Sequence, residues 1–146
     1  MTARTIFAVT LLLLSAGIAG AIPDQPNMQA ARADLQTAKR ELQKATPDKG
    51  GHRAKAIGLV NDAIVEVNAG IAYARRHNHA VSGDSTISFA AAPDQPHMQA
   101  ALTALESARN NLDRAEADKG GHRAKAIDLV KSAIDEVKLG IQAGRG

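Results

Sequence analysis

Cysteine is absent from the 146-residue chain, which excludes disulfides, thiolate metal sites, a lipoprotein anchor and thiol chemistry. Tryptophan is absent too, and past the first twenty-one residues the only aromatics are Tyr73 and Phe89. That is too few to stack bases, and a formal charge of +3 is too mild to draw nucleic acid. No apolar run approaches the ~20 residues a membrane span needs. The groupings that usually announce catalysis are missing as well: no nucleophile beside a base, no Glu-x-x-His for a di-metal centre in a bundle, no c-type haem motif. An enzyme is therefore not expected, and a fold without cross-links must stand on packing alone.

The start of the chain reads as a targeting segment. Arg4 supplies a charged opening, Ile6 to Leu14 an apolar stretch broken only by Thr10, and Ala19-Gly20-Ala21 a small-residue cleavage site. Together these predict a secretory signal peptide over 1–21 and a periplasmic or secreted product. Its removal takes away one cation, leaving +2.

The rest is one unit written twice. Residues 23–71 recur at 93–141 with an offset of 70 and are identical at 30 of 49 positions; the longest unbroken match is DKGGHRAKAI, at 48–57 and 118–127. Elsewhere the copies have drifted, with Gln36 against Glu106, Arg40 against Asn110 and Asp62 against Ser132. Duplication alone would spare positions at random, so these ten are under some constraint.

Each copy reads as an antiparallel helical hairpin, 22–76 and 96–146, joined by a flexible linker over 77–95 that carries Ser82-Gly83-Asp84-Ser85. After Pro26, the residues Met28, Ala31, Leu35, Ala38, Leu42 and Ala45 follow steps of three and four. A second seam runs through Ile57, Val60, Ile64, Val67, Ile71 and Ala74. Folding back about Gly51 pairs small with large residues, Ala38 with Ile64 for example. The second helix of each copy also carries an adjoining stripe, Ala56, Leu59, Ala63 and Gly70, echoed by Ala126, Leu129, Ala133 and Gly140. One hairpin cannot bury that width. The expected fold is all-α, two tandem hairpins forming an up-down four-helix bundle with the two second helices packed together, in a monomer or a homodimer.

The turn is the one candidate site. Gly50 and Gly51 suit the left-handed backbone of a helix end. Lys49, Arg53 and Lys55, however, crowd the start of a helix whose dipole is already positive there. An anion would remove the conflict. The predicted site for an anionic ligand or acidic protein partner is Lys49, Gly50, Gly51, His52 and Arg53, with Lys119, Gly120, Gly121, His122 and Arg123. On that reading the cations and histidines are dispensable to the fold, and replacing them should leave stability unchanged or raise it. The alternative is a divalent transition metal, copper, zinc or nickel. With both turns at one end of the bundle, His52 and His122 would converge with Asp48 and Asp118. A second metal grouping, Met98 with His97, His77 and His79, competes with a simpler role for Met28 and Met98 as a core layer.

The run from Pro96 through Met98-Gln99-Ala100-Ala101-Leu102 to DKGGHRAKAI, and its first-copy equivalent, resembles a group of small secreted bacterial helical-hairpin proteins of unestablished activity. A looser likeness is to small periplasmic metal-binding proteins made of His-containing helical repeats. The first likeness implies the fold over nearly all of the chain beyond the signal peptide. The second implies metal binding through His52 and His122, although few other histidines lie along these helices.

Overall fold

The computed structural model describes residues 25–47, 50–77, 95–116 and 120–145. The signal peptide over 1–21 and nearly all of the linker lie outside the described residues, as do Asp48, Lys49, Asp118 and Lys119. Four helices follow in order: α1 (Pro26–Lys44), α2 (His52–His77), α3 (Pro96–Arg114) and α4 (His122–Ala143). There is no strand among the described residues, and none of these helices is long and apolar enough to cross a membrane.

Pro26 and Pro96 open α1 and α3, where a missing backbone N–H costs nothing. The residues before them, Gln25 and Gln95, stand in left-handed backbone at φ 55° and 60°. Their carbonyls nonetheless accept the first helical bonds, from Gln29 and Gln99. At the far end of each helix the chain leaves in extended backbone at Ala45 and Ala115.

The helices form an all-α four-helix bundle in which α1 packs on α3 and α2 on α4 most closely, with α1·α2 and α3·α4 completing the square. The closest packing is thus between hairpins, whereas the seam pairing expected from the sequence set Ala38 against Ile64 within one hairpin. The cause is side-chain size. Ala31, Ala38 and Ala45 recur every seventh residue on α1, Ala101, Ala108 and Ala115 on α3, and all are 5% exposed or less. Ala56 and Ala63 with Gly70, and Ala126 and Ala133 with Gly140, do the same on α2 and α4 and are buried. Such stripes let two backbones approach closely, so the helices that carry them pack tightly across the hairpins and the hairpin partners are held farther off.

Both close pairs run antiparallel. Asn27 near the start of α1 donates to the Arg114 carbonyl at the end of α3 at 3.1 Å, and His97 at the start of α3 meets Glu41 near the end of α1 at 2.8 Å. That register sets Leu35 level with Ala108 and Ala38 level with Leu105, so large faces small across α1·α3. The core holds Met28, Leu35 and Leu42 with Met98, Leu105 and Leu112, all 1% exposed or less. The methionines are core residues, as the simpler reading held. Ile57 and Ile64, expected in the seam, are only partly buried, because the close α2·α4 contact turns Ala56 and Ala63 inward in their place.

One polar residue lies in this core. Asp34 is 4% exposed, and its Oδ2 accepts hydrogen bonds at 2.8 Å from Ser107 Oγ and from Asn111 Nδ2. Its counterpart in the second copy is Ala104, which is fully buried.

Candidate functional site

The turn motif is built from helix ends upward. Gly51 and Gly121 hold φ at 68° and 71°, where a Cβ is strained, and each begins the helix that follows by accepting from Lys55 or Lys125. Gly50 and Gly120 are needed for another reason. A side chain at Gly50 would collide with the imidazole of His52, and a Cβ at Gly120 would lie 2.8 Å from Cδ2 of His122. Each histidine ring therefore lies over the first glycine of its own turn.

From there the rings reach across to the other hairpin. His52 Nδ1 lies 2.7 Å from Glu136 Oε2, and His122 Nδ1 lies 2.8 Å from Glu66 Oε2. A carboxylate only accepts, so the imidazole N–H donates in both contacts. Glu66 and Glu136 are equivalent positions of the two copies, and the contacts form a matched pair that clamps α2 against α4 at both ends. At one end Tyr73 joins, its ring 6.5 Å from that of His122. The equivalent of Tyr73 in the second copy is Ala143, so the two ends differ.

The arginines explain the crowding of charge. Arg53 Nη1 donates to the Ala45 carbonyl at 2.8 Å, and Arg123 Nη1 to the Ala115 carbonyl at 2.8 Å. Arg123 also reaches the Leu112 and Asp113 carbonyls at 3.4 Å. The start of α2 is also the end of α1, where the dipole is negative and carbonyls lack helical partners. The cation that looks misplaced against its own helix is well placed against the preceding one. Lys55 and Lys125 are exposed.

The expected convergence of the two turns is corrected by this geometry. His52 and Glu66 are separated by fourteen residues of α2, about 21 Å at the usual helical rise. Because His122 contacts Glu66, the two histidines stand about that far apart, at opposite ends of the bundle. Packing with the turns together would have stacked the cations of one turn on those of the other and aligned the α2 and α4 dipoles. The antiparallel arrangement instead gives each histidine a carboxylate. No three His, Cys, Asp or Glu among the described residues are grouped to hold a metal ion. Asp48 and Asp118 are outside the described residues, as is His79.

Three contacts escaped the sequence reading: Asp34 with Ser107 and Asn111, the Glu66 and Glu136 clamps, and Glu41 with His97. The first and third join positions where the copies differ, because they cross between unlike halves. Glu66 and Glu136 were legible in principle as acids retained in both copies on an otherwise drifting outer surface. The hydrogen bond from His97 holds the Glu41 carboxyl below its ordinary 4.5; burial pushes it up, and the hydrogen bond and charge of Lys44 lower it further.

Away from the turns, the two hairpins differ in charge. Among the described residues, the second carries five exposed acids that no histidine engages, Glu106, Asp113, Glu116, Asp128 and Asp135. The first has uncharged Gln36, Gln43, Thr46, Gly58 and Val65 at those positions. Its own acids are mostly occupied, Asp34 in the core, Glu41 on His97 and Glu66 on His122, which leaves Asp62 exposed. Against it stand Arg32, Lys39, Arg40 and Lys44 on α1 and Lys55, Arg75 and Arg76 on α2.

Comparison of the chain with protein-family models, curated proteins and solved structures returned no match.

Proposed function

We propose that the protein is an exported, non-enzymatic binding or assembly module whose ligand or partner is anionic. The observation that carries this reading is the charge difference between two hairpins of matching fold. Among the described residues, each exposed acid of the second hairpin that no histidine engages is replaced in the first by an uncharged residue, while most of the cations are kept. Packing does not ask for this, since the residues concerned lie on outer surfaces. The first turn adjoins the same hairpin, so the first amides of α2 can extend the cationic surface, while His52 and Arg53 hold the turn in shape.

The test is a thermal melt of the full chain with inorganic polyphosphate. A ligand that binds the folded state raises the melting temperature by mass action. The expected result is a rise that is lost when Lys39, Arg40, Arg75 and Arg76 are changed to Gln; a flat titration would sink the reading. A second reading, binding of copper, zinc or nickel, is favoured by one observation. Each turn imidazole is oriented by a carboxylate hydrogen-bonded to its Nδ1, the outer-shell arrangement that commonly positions a metal-ligating histidine. Metal-induced stabilisation that disappears on changing His52 and His122 to Asn would establish it.

A further inference from the structure

We infer that the first hairpin lies flat against an anionic lipid surface through the outward faces of α1 and α2, with the second hairpin turned to water. This rests on the reading of an anionic partner and names that partner. The cations are spread and do not converge. Arg32 to Lys44 covers twelve residues of α1, about 18 Å at the usual rise, and Arg75 and Arg76 lie at the end of neighbouring α2 remote from the turn. A small anion is held by cations pointing at one spot, whereas headgroups of negative lipid present charge over a plane.

What lies between the cations supports close approach. Gly58, Asn61, Val65, Asn68 and Ala72 follow steps of three and four along the outer side of α2, and Val65 is 64% exposed. The same stripe on α4 reads Asp128, Lys131, Asp135, Lys138 and Gln142. The first hairpin has therefore lost both signs of charge along this line. Small and uncharged side chains let the flanking Lys and Arg reach a surface without desolvating a charge in the middle. A nucleic acid partner is disfavoured, because the one aromatic among the described residues, Tyr73, packs on His122 and none is left to stack on bases.

The experiment is co-sedimentation of the full chain with vesicles of phosphatidylcholine alone and of equimolar phosphatidylcholine and phosphatidylglycerol, at low and at high salt. The quantity read is the difference between the two vesicle types, so any affinity of the apolar start of the chain cancels. Two variants of the first hairpin are compared with a control. One changes Lys39, Arg40, Arg75 and Arg76 to Gln. The other keeps every cation and restores the acids of the second copy, as Gln36→Glu, Gln43→Asp and Val65→Asp. The control removes four cations from the second hairpin, Lys125, Lys131, Lys138 and Arg145, again to Gln, and circular dichroism checks that all remain helical. The expected result is salt-sensitive binding of the natural chain to the anionic vesicles, weakened about tenfold or more in both first-hairpin variants and within about twofold in the control. Equal losses in variants and control would overturn the assignment to this face. Polyphosphate binding without vesicle binding would overturn the lipid partner and leave the anionic reading standing. Absence of both would end the two together.

Discussion

Asp34 shows how a single residue can be well satisfied and still add little stability. Its carboxylate accepts from Ser107 and Asn111, yet the equivalent position in the other copy is filled by Ala104 with no exposed surface. Asp34→Ala removes a charge from the core and leaves two partners that are only partly buried and can turn to water. The expected change in a urea melt is between zero and a stabilisation of about 1 kcal/mol; a loss of several kcal/mol would mean the carboxylate holds the α1·α3 register. Glu41 behaves differently, because its carboxyl is held below 4.5, chiefly by the His97 hydrogen bond. A carboxyl with a lowered folded value adds stability that is fully present above its unfolded value and lost as pH falls through the folded one. His97→Asn should therefore destabilise at neutral pH, and by progressively less below pH 4.5. Asn27 occupies the equivalent place in the first copy, so Asn fits there. A gap between variant and natural chain that stayed constant into acid would refute the hydrogen bond to Glu41 as its source.

At the scale of the element, the turn reverses an expectation. The sequence read alone makes Lys49, His52 and Arg53 look like a surcharge on a positive helix end, dispensable to the fold. Against α2 alone, Arg53 is badly placed. The guanidinium in fact closes the end of α1, and the imidazole reaches a different hairpin. No local pattern could have shown the second contact, since Glu136 lies 84 positions away from His52. Arg53→Gln with Arg123→Gln should now lower stability by about 1 kcal/mol per site, read from the midpoint of a denaturant melt; an unchanged midpoint would return the arginines to ligand binding. The helices themselves were legible, because heptad steps of apolar residues survive in both copies. The pairing of the two second helices was legible as well, from their stripes of alanine and glycine, whereas the equally close α1·α3 contact was not, since a stripe of alanines signals close approach without saying to whom. Ala38→Leu or Ala108→Leu should cost about 1 to 3 kcal/mol through overpacking. The strain falls between α1 and α3, where Leu105 and Leu35 stand level with these alanines. Thermal melts of the two variants check it, and an unchanged melting temperature in either would show that the pair has slack.

The whole molecule is a covalent version of a two-hairpin assembly, and the contacts between its halves tell what each half can do alone. Apart from the Tyr73–His122 ring contact, every inter-hairpin element except one is available to both copies. The histidine clamp needs a turn histidine and a glutamate fourteen residues on, and both copies supply them. The alanine and glycine stripes are likewise shared. The exception is the α1·α3 polar patch. Two copies of the second hairpin would set Ala104 against Ser107 and Asn111 of the other copy, leaving small, neutral groups in contact. Two copies of the first would bring Asp34 against Thr37 and Glu41, two carboxylates in a poorly solvated contact with no donor between them, which opposes that pairing. Residues 95–146 produced alone should therefore form a helical antiparallel homodimer, while residues 25–77 alone should stay largely unfolded at neutral pH and gain helix when Asp34→Ala and Glu41→Asn supply the residues of the second copy. Sedimentation equilibrium with circular dichroism reads both results. A folded monomer of either hairpin would show that the close contacts between hairpins are not what sustains the fold. A stable neutral-pH dimer of the first would show that Asp34 does not direct the pairing of unlike halves.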